Sequence, residues 1–173
     1  KPWMGQGMHN LEAQRLFLQA KQAIYRGENA RDHLIETLEK DSTFVAARVW
    51  LISGLMGTDR TEATRHYRIL QRQRFDCSPF DQVMIRYVGA LIDDDQRIQV
   101  DCLEQALRMS PNNFILLAVL ADLDFLKGDF EKSLRDMQPS IDAQWEYAAI
   151  YPAAATCLLR LGLVEKASEL IED

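Results

Sequence analysis

Apolar side chains recur at three- and four-residue steps along much of the chain, which is the spacing of one face of an α-helix. The pattern is clearest between residues 114 and 126, where leucine fills most of these positions. Asn112 or Asn113 can cap the start of this helix with a side-chain oxygen. Gly128 can end it, because glycine takes the left-handed conformation without a side-chain clash. The pattern therefore predicts two helices joined at Gly128, the second of them beginning at Asp129.

This helix–turn–helix pattern recurs at a nearly constant interval. Gly128 and Gly162 are 34 residues apart, and the same interval separates Ser133 from Ala167. Toward the N-terminus the interval drifts between 33 and 36 residues. A fixed interval of this length is typical of repeat proteins built from stacked helix pairs. Alternating strand patterns are nearly absent, so we predict an all-α fold.

Five helix pairs account for most of the chain. Pro139 is expected to shorten the second helix of the fourth pair, because proline lacks the amide hydrogen and its ring obstructs the preceding turn. The first helices are predicted near residues 10–25, 44–57, 79–92, 113–127 and 147–161, and the second helices near 30–41, 60–74, 96–109, 130–138 and 163–173.

The pattern resembles the tetratricopeptide repeat (TPR) family. Gly128 and Asp129 fall on the family's turn, Ser133 on its small alanine and Met137 on its phenylalanine. The last unit matches through Tyr151, Ala154, Ala155, Leu158, Gly162, Ala167 and Ile171. The resemblance implies a right-handed superhelix of about five stacked antiparallel helix hairpins, a TPR-like α-solenoid.

The boundaries follow from the extent of this pattern. Residues 1–10 are expected to form a flexible N-terminal segment and residues 11–173 a single helical-repeat domain. The chain begins at Lys1 rather than methionine and stops within a helical pattern. We therefore expect it to be a segment of a longer protein.

Charge and composition exclude several classes of partner. The net charge of −6 opposes binding to nucleic-acid phosphates, so no direct nucleic-acid binding is expected. The longest apolar run, residues 114–121, is too short to cross a bilayer, and no signal peptide opens the chain. Three widely spaced cysteines without a CxxC motif favour a reducing compartment, and we expect a cytoplasmic protein.

The residues that could carry chemistry do not converge in the sequence. His9, His33 and His66 lie in different predicted elements, none with a second ligand at metal spacing. Residues 93–95 are three aspartates, but the glycine that a calcium loop requires is missing, so a solvated turn is the better interpretation. Cys157 lies on an alanine-rich face and is expected to be a buried thiol. We therefore predict no enzyme activity, no cofactor and no metal.

Because the resemblance implies a concave groove lined by the first helices, these residues are candidates for binding a partner. An apolar groove suits an amphipathic helix of a protein or peptide. Two alternatives stay open: many of the residues belong to the core, or the segment KPWMGQGM fills the groove with Trp3 and Met4. The predicted lining residues are Phe17, Lys21, Val49, Met56, Ile85, Ile92, Asp122, Phe125 and Leu159.

Two functions are compatible with this pattern. The first is a non-catalytic protein–protein interaction scaffold that binds a partner, or another domain of its own chain, in an apolar groove. The alternative is a ligand-sensing helical-repeat domain of a bacterial signalling or transcription-regulatory protein. A compact pocket with convergent polar groups would favour the sensor, and an open apolar groove would favour the scaffold. An uncapped end of the array would also allow a homo-oligomer.

Overall fold

A computed structural model describes residues 10–73, 77–145, 147 and 149–172 of the chain. These residues form helices and turns without a β-strand. Residues 1–9 lie outside the described part of the chain. They include Trp3, Met4 and His9 and most of the predicted flexible segment. The described helices are α1 (Leu11–Tyr25), α2 (Arg31–Lys40), α3 (Val45–Leu55), α4 (Arg60–Gln73), α5 (Pro79–Ile92), α6 (Gln96–Met109), α7 (Phe114–Leu126), α8 (Phe130–Asp142), α9 (Ile150–Arg160) and α10 (Val164–Glu172).

The helices belong to two compact units. The first unit holds α1 to α6, apart from residues 25–27, and the second holds α7 to α10 together with residues 25–27. In the first unit α3 packs on α4 and α5 on α6, and α3 also contacts α2 and α5. In the second unit α7 packs on α8, α8 on α9, and α9 on α10. The predicted all-α fold of stacked helix hairpins is confirmed.

Three of the described hairpin turns use the left-handed conformation that the repeated glycines predict. Gly27, Gly128 and Gly162 have φ angles of 72°, 82° and 76°. After Gly128 the Asp129 amide donates to the carbonyl oxygen of Asp124 at 3.0 Å, which satisfies a free carbonyl at the end of α7. A residue with a side chain at these positions would meet backbone strain.

The three-aspartate turn follows the same plan without glycine. Asp94 takes the left-handed conformation, with φ 57°, and the next amide, that of Asp95, donates to the Ala90 carbonyl oxygen at 2.9 Å. The Asp95 carboxylate then accepts a hydrogen bond from the Ile98 amide at 3.0 Å and caps α6. Asp93 and Asp94 are exposed. These residues form a solvated turn and a helix cap, as the missing glycine of the calcium motif predicted.

The predicted end of the second helix in the fourth pair is wrong. Helix α8 runs through Pro139 and ends at Asp142, rather than stopping before the proline. Ser140 is fully buried beyond Pro139, and Ile141 packs on the hydrophobic cluster of the second unit. Packing of these side chains favours continuing the helix, and this gain outweighs the hydrogen bond that proline cannot donate.

Small residues allow close contact between helices in the second unit. One buried cluster contains Ala121 of α7, Met137 of α8, and Ala154 and Cys157 of α9. Ser133 occupies the predicted small position of α8, and its hydroxyl donates to the Ala121 carbonyl oxygen at 2.8 Å. Cys157 is fully buried, so the prediction of a buried thiol is confirmed.

In the described part of the chain, every helix is too short or too polar to span a lipid bilayer.

Candidate functional site

The predicted groove residues divide into core side chains and surface side chains. Phe17, Val49 and Ile85 expose only 0%, 1% and 3% of their surface. The Phe17 ring centroid lies 4.7 Å from that of Phe44 and 5.2 Å from that of Trp50. These three predicted lining residues are therefore part of the core of the first unit, which is the alternative that the sequence left open, and they offer no surface to a ligand.

The remaining six predicted residues keep accessible surface, three in each unit. Leu159 is the most exposed of the apolar ones, at 53%. The partly or fully exposed residues are Lys21, Met56 and Ile92 in the first unit and Asp122, Phe125 and Leu159 in the second.

The charged members of this set lie in partly apolar surroundings. Partial burial lowers the pKa of the Lys21 amine and raises the pKa of the Asp122 carboxyl, because loss of hydration disfavours each charged form. Burial, and then the charge of Asp122, raise the pKa of Tyr147. Phe125, one turn beyond Asp122 on α7, packs edge-on against Phe130 with centroids 5.3 Å apart. The surface near Asp122 therefore combines aromatic rings with an exposed carboxyl whose pKa is raised by partial burial.

A cavity of about 380 Å³ opens in the first unit, where the turn between α1 and α2 meets α3. Its wall is mainly apolar, and polar groups come from the turn and from the end of α3. The lining residues are Ile24, Glu28, Asn29, Ala30, Arg31, Leu34, Trp50, Leu51, Gly54, Leu55 and Thr58. This cavity was not predicted from the sequence, because its wall joins segments that are separate in the chain.

An ion pair lies beside this cavity. The Arg31 guanidinium donates to the Glu62 carboxylate at 2.8 Å and joins α2 to α4. The Glu62 carboxylate also lies 3.5 Å from the Arg65 guanidinium and 3.7 Å from Nε2 of His66. Glu62 therefore links the cavity wall to a buried polar network.

The centre of this network is Arg48, which is only 4% exposed. Its guanidinium donates to the Ser42 carbonyl oxygen at 2.7 Å and lies 3.0 Å from Nδ1 of His66. Arginine can only donate, so His66 Nδ1 accepts and the ring proton sits on Nε2, which faces Glu62. Burial, followed by the charges of Arg48 and Arg65, lowers the pKa of His66. This histidine therefore has a structural role, in its neutral form.

A second polar cluster lies between α7 and α8. Asp124 is 2% exposed, and its carboxylate lies 3.0 Å from the Lys132 amine and 3.8 Å from the Lys127 amine. Burial, and then the charge of Asp124, raise the pKa of Asp136 to about 6. The sequence pattern did not indicate this pairing of Asp124 with Asp136, because the two residues lie on different helices.

The described residues do not bring together a set of side chains suited to holding a metal ion. Within these residues no three histidine, cysteine, aspartate or glutamate side chains are placed to hold a metal ion. His33 and His66 lie on different helices, α2 and α4. Cys102 and Cys157 are buried free thiols.

No family model matches the chain, and no curated protein matches it. Solved structures do match over nearly its whole length. A structure of MamA from Desulfovibrio magneticus RS-1, starting at residue 41, is 15% identical with a TM-score of 0.54, and the match covers 94% of this chain and 93% of that one. Another MamA crystal structure is 13% identical with a TM-score of 0.54, covering 93% and 88%. A structure of MamA AMB-1 is 18% identical with a TM-score of 0.52, covering 94% and 95%.

At these identities the likeness concerns the fold. It agrees with the helix hairpins of the structure and supports the helical-repeat nature of the chain. Membership of the TPR family stays a prediction, and the chain is a helical-repeat protein similar in fold to MamA.

Proposed function

We propose that this protein is a non-catalytic interaction module that binds a segment of another protein, or of another domain of its own chain. The observation that carries the proposal is that four apolar residues of the predicted lining keep accessible surface, Met56 and Ile92 in the first unit and Phe125 and Leu159 in the second. Scattered exposed apolar residues are common, whereas contiguous apolar patches are typical of a surface used for binding.

The chemistry of this surface supports an apolar partner with some positive charge. Phe125 and Leu159 provide apolar area, and Asp122 provides a carboxyl whose partial burial already raises its pKa. The apolar anchors of an amphipathic helix would pack on Phe125 and Leu159, and a nearby lysine or arginine would neutralise the Asp122 carboxylate. The net charge of −6 supports a protein rather than a nucleic acid as the partner. A cytoplasmic location stays part of this proposal.

Affinity capture with matched surface variants tests the proposal. Leu159→Asp places a charge on the proposed surface, where the side chain is 53% exposed, so the fold should tolerate it. Val164→Asp is the control, because Val164 is 54% exposed and lies on the second helix α10, outside the predicted set. We expect a specific partner to be captured by the wild type and by the control and lost from Leu159→Asp. Equal capture by all three folded proteins would refute this surface.

The second candidate function is a ligand sensor, and the cavity of the first unit is the observation that favours it. Its volume of about 380 Å³ lies within the usual range for small-molecule sites, roughly 300–1,000 Å³. A sensor would need polar groups that converge inside the cavity to select its ligand. The charged groups of this wall, Glu28 and Arg31, come from its turn and from the start of α2, and Arg31 is engaged by Glu62. This arrangement favours the interaction module.

A further inference from the structure

We infer that α1 of one copy of this chain binds α10 of a second copy, and that copies join through this contact. The inference goes beyond the proposed function, because neither helix surface includes a residue of the surface proposed for the protein partner. We call the two surfaces the α1 face and the α10 face. The α1 face consists of Leu11, Arg15 and Leu18, and the α10 face consists of Val164, Glu165, Glu169 and Ile171.

The α1 face is apolar with a basic edge. Leu11 and Leu18 are 82% and 45% exposed, and a spacing of seven residues places them on one side of the helix. Arg15 is exposed and lies about 40° around the helix from Leu11, at about 100° per residue. Glu12 lies farther round, and its carboxylate is 3.2 Å from the Lys40 amine of α2. The positive charge of Arg15 therefore borders the two leucines.

The α10 face is apolar with an acidic edge. Val164 and Ile171 are 54% and 65% exposed and are also seven residues apart. Glu165 and Glu169 are exposed and lie about 100° and 140° from Val164, in the same rotational sense as the arginine of the α1 face. Lys166 lies about 200° from Val164, on the far side of the helix. Negative charge therefore borders the two apolar side chains.

The repeat shows what covers such a face elsewhere in the chain. A shift of 34 residues places Val164 on Phe130 and Ile171 on Met137. Met137 is buried in a cluster that includes residues of α9, and Phe130 packs against this cluster. Helix α9 itself packs on α8. The α10 face is therefore equivalent to a surface that a first helix covers.

The α1 face has the complementary position in the repeat. Aligning α1 with α9 at their turn glycines places Leu18 on Ala153 and Arg15 on Ile150. Ile150 is buried in the cluster that α9 shares with α8, and Ala153 packs against it. The α1 face is therefore the side that a first helix turns toward the preceding second helix. In the inferred contact, α1 of the second copy follows α10 as α9 follows α8.

The charges favour this pairing over a contact between two α10 faces. Neighbouring helices of stacked hairpins are antiparallel, and edges displaced in the same rotational sense meet across an antiparallel pair. An α1–α10 contact therefore places Arg15 beside Glu165 and Glu169, whereas two α10 faces would bring the glutamates of both copies together. Apolar side chains supply the buried area, and complementary charges select the partner. Because the contact joins two different surfaces, it generates a ring or an open chain of copies.

Two aspartate variants test the contact on the whole chain. Leu18→Asp disables the α1 face and Ile171→Asp the α10 face, and both side chains are exposed, so the fold should tolerate each change. In sedimentation velocity, the mass of the wild type should rise with concentration, and each variant alone should stay monomeric. A mixture of the two variants should form a dimer that does not grow, because each variant keeps one intact face. Met109→Asp is the matched control, since Met109 is exposed at the end of α6, and it should associate like the wild type.

Reversed charges give a second test that leaves the apolar side chains unchanged. Arg15→Glu and Glu169→Arg should each weaken self-association about fivefold, the effect expected of an exposed charge pair. The chain that carries both substitutions should recover most of the wild-type affinity, because the pair is restored with opposite polarity. Thermal unfolding should show that all variants stay folded.

The outcomes separate this contact from the proposed function. A wild type that stays monomeric at every concentration, a Leu18→Asp variant that associates like the wild type, or a mixture without dimer overturns the contact. A double charge variant no stronger than the single ones also overturns it. Ile171→Asp should still capture the protein partner, and loss of that partner would mean that the α10 face binds it instead of a second copy. Self-association without a captured partner would leave the contact in place and refute the proposed function.

Discussion

Gly89 and Tyr67 show how one residue without a side chain sets the distance between two helices. A Cβ atom on Gly89 of α5 would overlap the Tyr67 hydroxyl and lie 2.8 Å from Cζ of the same ring. Gly89→Ala should therefore overpack the contact between α4 and α5 and lower the free energy of unfolding by about 1–3 kcal/mol. Urea denaturation of the wild type and the variant measures this loss.

The control for this prediction removes the obstructing ring. In a Tyr67→Leu background, Gly89→Ala should cost much less, because the atoms that it meets are gone. Gly57→Ala should cause no loss in either background, since its Cβ position is open. An equal cost of Gly89→Ala with and without Tyr67 would contradict the proposed clash.

The lowered pKa of His66 predicts that the free energy of unfolding depends on pH. Because its pKa in the folded protein lies below the ordinary value of 6.5, the unfolded chain binds the proton more readily. The stability contributed by neutral His66 is therefore complete above pH 6.5 and falls as the pH decreases below that value. A protonated ring would also place a positive charge 3.0 Å from Arg48 and end its acceptance of a hydrogen bond.

Urea denaturation between about pH 7.5 and pH 5.5 tests this contribution, with His66→Asn as the reference. Asparagine can still accept a hydrogen bond from Arg48 but does not titrate. The stability of the wild type relative to this variant should decrease as the pH falls. A constant or increasing difference would show that His66 is not held neutral by Arg48.

At the scale of the helices, turn glycines end three of the first helices, α1, α7 and α9. Gly128 has φ 82° and no neighbouring atom within 4 Å of a Cβ position, so a substitution there meets strain rather than a clash. Gly128→Val should cost about 1–2 kcal/mol, the cost of holding a side chain in the left-handed region. Thermal unfolding measures it, and a stability equal to that of the wild type would contradict the described turn.

Between α7 and α8, the ionised Asp136 side chain lowers the free energy of unfolding at neutral pH, and one substitution should remove this loss. Since the pKa of Asp136 is raised from 3.8 to about 6, its contribution favours the fold below pH 3.8 and is lost as the pH rises through about 6. Asp136→Asn cannot ionise and should be more stable than the wild type at pH 7 by about 1 kcal/mol, after allowance for partial exposure.

The control for Asp136→Asn is the pH dependence of its stability relative to that of the wild type. Chemical denaturation should show its advantage over the wild type shrinking as the pH falls from 7 toward 4, because the wild-type carboxyl becomes protonated. An advantage that grows on acidification would mean that Asp136 is stabilised in its charged form, for example by Lys132, and would reverse this interpretation.

The helices were predictable from the sequence because their signals are local. The turn glycines, the capping side chains and the 34-residue interval each act within a few residues or repeat along the chain. Pro139 was misjudged because Ser140 and Ile141, which hold α8 together beyond it, act through contacts with other helices. Rules that consider only neighbouring residues in the sequence do not include these contacts.

At the scale of the molecule, the surface was only partly predictable. Repeat spacing identifies which residues of the first helices are equivalent, but burial depends on the neighbours that each helix meets. Phe17, Val49 and Ile85 became core for this reason, whereas Leu159 stayed exposed. The cavity of the first unit could not be predicted, because its wall is formed by a turn and a helix that are separate in sequence.

The central claim is that the protein works by binding a partner on its first helices. Photo-crosslinking tests it most directly, with p-benzoylphenylalanine introduced at Leu159 on α9 or, as the matched control, at the exposed Arg135 on α8. We expect one defined protein to be crosslinked from position 159 and not from position 135. Crosslinking of that protein from position 135 alone, or of no protein from either position, would contradict it.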